Sequence, residues 1–278
     1  MDVFDFISEL CIGAGIAVDF DSTGKMKGDV HFKDLNISIK FRSLDDAQLT
    51  APKVDGPITS LNSTYLVVHL WEDQWIHQNN KVKSKIRSLL GITSRIHARE
   101  TTIEKIDNTM LLQFLDQNHL NVAIKGKYKY CLKYRGEIVA VISFSKGRAI
   151  KRDNELFSSY ELLRFCNKLD YTVIGGFSKL LHHFIKTQRP HDIMTYVDAD
   201  WSNGKSLISL GFTYEEYKEP VELWLNLTTG IREYPHIVLQ KHTKLADKRV
   251  SEMKKLLKVN GYLQIFNSGS YKFLLKLK

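Results

Sequence analysis

Two segments of the chain combine residue types and spacings that could perform chemistry, and the first is VIGGFSKLL (173–181). There an apolar run ends in Gly175 and Gly176, and Ser178 and Lys179 follow in the predicted first turn of a helix. Glycines permit close backbone approach, and the N–H groups of a first helical turn attract phosphate. These four residues form a candidate phosphate-binding turn. The alternative is a Gly-Gly turn that only reverses the chain.

The second segment is TYVDADWSNGKSLISLGF (195–212), in which two carboxylates alternate at the end of a predicted strand. Asp198 or Asp200 could act as a general base, and Trp201, with Asn203 in the following turn, could stack on and contact a nucleic-acid base. The alternative is that Asp200 and Ser202 cap a helix while Trp201 fills a core.

Thiolate metal chemistry is not expected. Cys11, Cys131 and Cys166 lie far apart without CxxC or Cys/His ligand spacing, which predicts a reducing cytosol and no metal site. His182 and His183 are adjacent and do not have the i, i+4 spacing of a zinc helix.

Charge is distributed unevenly along the 278 residues, whose net charge is +9. The first 80 residues contain 6 Lys or Arg and 12 Asp or Glu, whereas the last 38 contain 10 and 2. A basic C-terminal region of this kind favours a polyanionic partner, above all nucleic acid. The hydrophobic content of 43% is enough for a sizeable core, and the length suggests two domains. The apolar runs are only strand-length and the N-terminus is acidic, so we expect no membrane partner and a cytoplasmic location, the host cytoplasm if a phage encodes the chain.

The elements needed to position these segments can be predicted from periodicity. A helix is expected over 3–10, a hairpin over 28–41, a buried strand over 64–71 and a helix over 79–91 that Gly91 ends. After a basic linker (94–106) we expect a hairpin turning at Arg135 and Gly136, strands over 158–166 and 192–200, and between them the helix that ends before Pro190. The last fifty residues predict a basic helix and a terminal hairpin.

Three segments in order along the chain resemble the GNAT-type domain of phage proteins similar to the Mom DNA-modification protein: ELLRFC, VIGGFSKLLHHFIK and MTYVDADWSNGKSLISLGF. The resemblance implies that the glycine turn lies where GNAT enzymes hold the pyrophosphate of acyl-CoA, although the usual Arg/Gln-x-x-Gly-x-Gly/Ala loop is replaced here. The part of the chain before this domain resembles the Vsr-like, PD-(D/E)xK-type half of phage homing endonucleases, in the segments FDFISEL, DVHFKDLNISIKF, VVHLWEDQW and SRIHAR. The C-terminal part resembles the tail of those endonucleases, in REYPHIVLQKH and GYLQIFNSGSYKFLL.

The nuclease resemblance implies acidic residues where this chain has lysines. Only Asp29 remains of an acidic-x-acidic motif in Lys27-Gly28-Asp29, and the following strand has Ile39-Lys40-Phe41 in place of Ile-Glu-Phe. Cleavage needs carboxylates that converge on a divalent cation. We therefore expect Asp29 to be vestigial and nuclease activity to be lost. Mg²⁺ would bind only if Asp19, Asp21, Asp45 or Asp46 rebuilt the site.

These observations lead to an α/β (α+β) expectation with four segments. A degenerate Vsr-like mixed-sheet nuclease domain (1–93) precedes the linker (94–106), a GNAT-like mixed-sheet domain (107–227) and a basic C-terminal extension (228–278). The main functional hypothesis is a DNA-binding protein derived from a homing endonuclease. Its expected phosphate contacts are Arg95, Arg99, Arg232, Lys241, Lys244, Lys248 and Arg249.

Two alternative functions stay open at this stage. The first is a Mom-type transferase that takes an acyl group from acyl-CoA to a DNA base, with Asp198 or Asp200 as base and Trp201 stacked on a flipped nucleotide. The second is an inhibitor that binds a host protein through the acidic N-terminal domain.

Overall fold

A computed structural model describes residues 2–24, 27–47, 65–152, 155–241 and 250–277. Up to residue 144 its helices and strands are α1 (Val3–Ala14), β1 (Asp19–Gly24), β2 (Lys27–Phe32), β3 (Ile37–Arg42), α2 (Leu44–Ala47), β4 (Leu66–Trp71), α3 (Glu72–His77), α4 (Asn79–Leu89), β5 (Ser94–His97), β6 (Thr102–Lys105), α5 (Asn108–Asn118), β7 (Tyr128–Tyr134) and β8 (Glu137–Phe144). Short 3-10 helices cover Lys33–Leu35 and Ala98–Glu100.

The remaining elements are β9 (Arg148–Arg152), β10 (Glu155–Asn167), β11 (Tyr171–Ile174), α6 (Gly176–Gln188), β12 (Asp192–Asp198), α7 (Lys205–Ile208), β13 (Thr213–Lys218), β14 (Glu222–Asn226), β15 (Arg232–Glu233), α8 (Pro235–Lys241), α9 (Val250–Val259), β16 (Tyr262–Phe266) and β17 (Ser270–Lys276). The predicted α/β class is confirmed, because helices pack with several sheets and both larger sheets are mixed.

The chain forms two compact units, each assembled from separate segments. Unit 1 comprises Met1–Gln78, Asp198–Asn203 and Tyr217–Tyr271, and unit 2 comprises Asn79–Val197, Gly204–Glu216 and Lys272–Lys278. This division differs from the four consecutive segments expected from the sequence, because β17 returns to lie between β13 and β12 in the largest sheet. The predicted terminal hairpin is wrong for the same reason, since β16 pairs with β14 instead.

The first sheet of unit 1 has the order β1-β2-β3-β4, antiparallel except for the parallel pair β3 and β4. One face carries the fully buried Val30, Ile39 and Val68, which cross-strand pairing aligns. Helix α1 packs on this face, where the Phe4 and Phe41 rings lie 5.0 Å apart. The helix over 3–10 and the hairpin over 28–41 are thereby confirmed, while β1 was not predicted.

A second sheet of unit 1 has the order β15-β14-β16. Alternation along β14 explains its two buried faces, as successive strand residues point to opposite sides. Leu223 and Leu225 pack with Trp71, whereas Trp224 packs with Val238 and residues of α9.

The large sheet has the order β13-β17-β12-β10-β8-β7-β6, and β9 pairs with β10. Helix α5 covers one face, where Leu111 and Leu115 pack with Val141 and Cys166. Helix α6 packs through Phe184, whose ring stacks on Phe144 with centroids 3.6 Å apart. The sequence pattern does not predict helix α5, although Asp107 caps it by accepting the Met110 N–H at 2.8 Å.

Gly204 allows a test of how closely unit 2 is packed. It has φ +77, and an added Cβ would lie 2.2 Å from Cζ of Phe273. We expect Gly204→Ala to lower the free energy of unfolding by about 2–4 kcal/mol through overpacking and left-handed strain. Gly136→Ala is the matched control, because Gly136 has φ +85 with open space around it, and it should cost about 1–2 kcal/mol. Equal losses in urea denaturation would contradict the packing account.

Candidate functional site

The glycine turn and the helix after it form as predicted. Gly175 is left-handed (φ 75, ψ 3) at the N-cap of α6, and Gly176 begins the helix. A Cβ on Gly176 would lie 2.9 Å from Cβ of Val173, so that position needs glycine for packing. The first helical hydrogen bond runs from the Lys179 N–H to the Gly175 carbonyl at 2.9 Å. The amides of residues 176–178 therefore precede the helical ladder and point out of its N-terminus.

Lys179 lies in this turn, but its side chain holds another segment. The ammonium donates to the carbonyls of Ala98 and Thr101 at 2.8 and 2.5 Å and to the Thr101 hydroxyl at 3.3 Å. Ser178 Oγ lies 3.2 Å from Nδ1 of His182. The geometry thus leaves the backbone amides, rather than the Lys179 ammonium, as the groups of this turn that can meet a phosphate.

The segment held by Lys179 carries two of the predicted phosphate contacts. Strand β5 pairs in parallel with β11, which puts Arg95 opposite Thr172. The methyl of Ala98 lies 3.6 Å from the position of a Cβ on Gly175, and Arg99 is the next residue. Arg95 and Arg99 are both exposed. The structure therefore places Arg99 in the segment beside the N-terminus of α6, whereas the Arg95 guanidinium donates to the Gly91 carbonyl at 3.4 Å, before the start of β5.

Strands β10 and β12 pair over only part of their length, and they separate toward the end of β10 that leads to this turn. Their parallel pairing joins Ser159–Leu162 to Asp192–Thr195 and ends there, although β10 continues to Asn167 and β12 continues through Val197. Beyond the last pair, Arg164 to Asn167 of β10 pair with β8. The rings of Phe165 in this stretch and Phe177 in the first turn of α6 lie 4.8 Å apart. The separating strand edges and the helix N-terminus are thus neighbouring features of unit 2.

Asp200 lies in the interior of unit 1, with 1% of its surface exposed. Its carbonyl accepts the His69 N–H at 2.8 Å, Oδ1 accepts the Ser268 N–H at 3.2 Å, and its own N–H donates to Asp198 Oδ1 at 3.0 Å. Burial and the charge of Asp198 raise the pKa of Asp200 to about 7, against the opposing effects of Ser268, Arg232 and Trp71. Asp200 therefore acts as a structural link.

Trp201 is only 5% exposed, so its ring belongs to a core. A buried indole cannot stack on a flipped base without rearrangement of the chain, and a buried Asp200 cannot reach a substrate. Of the alternative considered from the sequence, the core position of Trp201 agrees with the geometry, whereas the helix cap by Asp200 and Ser202 does not, because Gly204 is the N-cap of α7 and no side chain caps that helix. Asp198 and Asn203 are half-buried at the same turn.

Arg232 does not present its charge to solvent as predicted. Its Nε and a terminal nitrogen each donate to the carboxylate of Asp73 at 2.7 Å, and Asp73 is 2% exposed. Burial alone lowers the pKa of the guanidinium, but the hydrogen bonds and charge of Asp73 outweigh it and raise that pKa. Lys241, another predicted phosphate contact, pairs with Glu233. Lys244, Lys248 and Arg249 lie outside the described residues.

The residues of the nuclease resemblance form one cross-strand row. Asp29 pairs with Lys40 and Lys40 with His69, and the Lys40 ammonium lies 3.9 Å from the Asp29 carboxylate. Arg42 Nε lies 3.3 Å from Nδ1 of His69. Burial, then Arg42 and Lys40, lower the pKa of His69 to about 4, so the ring is neutral near pH 7. Lys40 thus neighbours the one expected acid, and loss of cleavage stays a prediction.

Among the described residues, no group of three or more His, Cys, Asp or Glu side chains is arranged to hold a metal ion. Within the same part of the chain, none of the helices combines the length and apolarity needed to cross a membrane.

Comparisons with known proteins give weak structural similarities. The chain is similar to the ribosomal-protein-S18-alanine N-acetyltransferase of Escherichia coli, with 14% identity, 64% of this chain and 94% of that chain covered, and a TM-score of 0.39. It is also similar to Arabidopsis thaliana Naa50 in complex with a CoA bisubstrate analogue (14% identity, 64% and 99% covered, TM-score 0.38). A third is a GNAT family acetyltransferase from Elizabethkingia anophelis with acetyl-CoA bound (14%, 64% and 99%, 0.34).

No protein-family model matches the chain, and no curated protein matches it either. The comparisons also give no support to derivation from a homing endonuclease.

The buried Asp200 predicts a pH dependence of stability. Its pKa in the folded state lies above the ordinary value of 3.8, so between about pH 4 and 7 the folded state binds more protons than the unfolded state. The stability contributed by protonated Asp200 should therefore be present at low pH and be lost as pH rises through about 7. Asp200→Asn should remove this loss of stability, because an amide does not ionise. The amide oxygen can still accept the Ser268 N–H, so the local hydrogen bond is kept.

Urea denaturation at several pH values between 4.5 and 7.5 checks this expectation. The free energy of unfolding of the wild type, relative to Asp200→Asn, should fall as pH rises. Asp34→Asn, an exposed carboxylate of the same unit, is the control. A difference between wild type and Asp200→Asn that is the same at every pH would show that the carboxylate is ionised throughout.

Proposed function

We propose that the protein is an acyltransferase that takes an acyl group from acyl-CoA, with the donor site in unit 2. The observation that carries the proposal is the parallel pair β10 and β12, whose pairing stops at Leu162 and Thr195 while both strands continue. Strand edges that face each other without pairing need other partners for their N–H and C=O groups. The pantetheine arm of acyl-CoA is extended and carries two amides, so it can enter as a short additional strand.

The N-terminus of α6 is suited to bind the diphosphate part of the acyl-CoA donor. Its amides at 176–178 suit the diphosphate of CoA, and the partial positive charge of a helix N-terminus favours such an anion. Contact between Phe165 and Phe177 sets this turn beside the separating part of β10. The exposed Arg99 adds positive charge in the neighbouring segment. The predicted roles of Gly175 and Gly176 are therefore retained in the proposal, whereas Lys179 contributes by holding residues 98–101.

The reaction requires no redox partner or metal. The lone pair of an acceptor amine attacks the thioester carbonyl, a C–N bond forms, and the C–S bond breaks. The amine loses one proton, which the leaving thiolate takes up, so the products are an amide and the CoA thiol. Asp200 and Trp201 have no part in this step, because both are buried in unit 1.

Gly175 offers a matched pair of variants for testing donor binding. Asp and Asn both tolerate left-handed backbone, and they differ here only in charge. Gly175→Asp places a carboxylate beside the expected diphosphate. A repulsion of about 1.4 kcal/mol corresponds to about 10-fold weaker binding. Gly175→Asn should stay within about 3-fold of wild type.

Isothermal titration calorimetry with acetyl-CoA measures these affinities. Binding by wild type that Gly175→Asp weakens and Gly175→Asn preserves would support the proposal. Absence of binding to folded wild type, or equal effects of the two variants, would contradict it. Circular dichroism establishes that each variant is folded.

A further inference from the structure

Strand β9 forms an open edge of the large sheet. Strands β8 and β9 pair with successive parts of β10, but β7 lies only beside β8. Among the described residues, β10 is the only strand with which β9 pairs. The chain that leads into β7 departs at this point, because Lys127 donates its N–H to the Phe144 carbonyl at 2.8 Å and the preceding residue bonds to α5 instead. The edge of β9 thus continues the line of β7.

Hydrogen bonds on the far side of β10 show which backbone groups of β9 face this edge. Ser158 donates its N–H to Nδ1 of His191 and accepts the His191 N–H at its carbonyl, both at 3.0 Å, so its backbone groups point toward β12. Ser158 lies opposite Ala149, and the two residues of an antiparallel pair either bond to each other or both point away. The N–H and C=O of Ala149, and by alternation those of Lys151, therefore point toward the open edge.

The connection between β8 and β9 holds this edge in position. Ser145 donates its N–H to the Glu161 carbonyl, and its hydroxyl accepts the Glu161 N–H, both at 2.9 Å. A Cβ on Gly147 would lie 2.7 Å from Cζ of Tyr160, so the backbone passes directly against that ring. A strand edge that is already fixed loses little conformational entropy when another strand pairs with it.

Exposed basic side chains line the same edge. They are Lys127, Lys146, Arg148 and Lys151. Arg148 and Lys151 project from opposite faces of β9, because strand side chains alternate. Residues 125–155 contain nine Lys or Arg and three Asp or Glu, so the sequence around the edge is also basic. The edge therefore offers backbone hydrogen bonds together with positive charge.

The charge and the backbone groups together select the kind of strand that fits. A second copy of β9 would bring Arg148 and Lys151 against the same residues, and like charges on neighbouring strands destabilise their pairing. A nucleic-acid strand would neutralise the charge, but it has no backbone amides to pair with Ala149 and Lys151. An extended acidic peptide satisfies both requirements.

We propose that β9 is a docking edge for an acidic peptide segment of a partner protein, which adds to the large sheet as a further strand. Ala149 and Lys151 supply its main-chain hydrogen bonds, and the four exposed basic side chains meet its carboxylates. Half-buried Ile150 shares a face of β9 with Arg148, so an apolar side chain of the peptide can pack beside it. The inference goes beyond the proposed function, because β9 pairs with the part of β10 that precedes Leu162 and the donor site lies after it.

The first test removes one backbone donor from the edge. Binding of a short fluorescein-labelled peptide that alternates Glu with Val is followed by fluorescence anisotropy on the full chain. Ala149→Pro deletes an N–H that points away from β10, so the ladder between β9 and β10 is kept. We expect at least about 10-fold weaker binding, which corresponds to about 1.4 kcal/mol for a lost hydrogen bond. Ala149→Ser retains the N–H and should stay within about 2-fold of wild type.

The second test removes charge. Arg148→Gln/Lys151→Gln should bind the peptide about 5-fold more weakly, since an exposed ion pair contributes about 0.5 kcal/mol. Lys255→Gln/Lys258→Gln is the control, because it removes two exposed cations of unit 1 and should leave the affinity unchanged. A peptide with Lys in place of Glu should not bind at the same salt concentration.

Four results would overturn the proposal. They are absence of peptide binding to folded wild type at low salt, and equal affinities of folded Ala149→Pro and Ala149→Ser. A single-stranded oligonucleotide that displaces the peptide, and whose binding needs Arg148 and Lys151 but not the Ala149 N–H, would assign the edge to nucleic acid. A wild-type dimer in sedimentation that Ala149→Pro dissociates would assign it to a second copy. None of these measurements involves acetyl-CoA, so failure of the docking edge and failure of the donor site are distinguishable.

Discussion

The parallel pairing of β10 with β12 is the interaction on which the candidate site depends. It lasts for four residue pairs, and Thr195 Oγ1 donates to the Leu162 carbonyl at 2.9 Å across the last of them. Beyond Leu162, β10 pairs with β8. The stacked rings of Phe144 and Phe184 hold α6 on the sheet. A sheet that is closed up to Leu162 and open beyond it places a strand edge beside a helix N-terminus. The proposed donor site is a consequence of that single change in pairing.

The internal arrangement of unit 1 depends on a different constraint, the burial of charged side chains. Asp73 satisfies Arg232, and Asp200 is held by backbone N–H groups while Asp198 raises its pKa. Removing one partner from a buried ion pair costs more than the pair contributes, because an uncompensated charge is left behind. These residues therefore fix the internal arrangement of unit 1. Asp73, Asp200 and Arg232 therefore have structural roles, whereas the pair Asp29 and Lys40 is half-exposed.

Local signals in the sequence predicted much of the fold. Alternation and turn glycines gave the hairpin at Arg135 and Gly136 and the glycine turn before α6, because both depend on neighbouring residues. The position of β17 could not be predicted, since its partners lie more than fifty residues earlier in the chain. The same limitation affected Trp201 and Arg232: their residue types suggested nucleic-acid contacts, but their burial is decided by distant segments.

Hydrogen–deuterium exchange with and without acetyl-CoA tests the central claim most directly, because it reports on individual backbone amides. If the donor binds where β10 and β12 separate, amides in 163–167 and 176–178 should exchange more slowly when acetyl-CoA is present, while those of β1 to β4 should not change. Protection confined to other segments, or no protection at acetyl-CoA concentrations that saturate binding, would contradict the account.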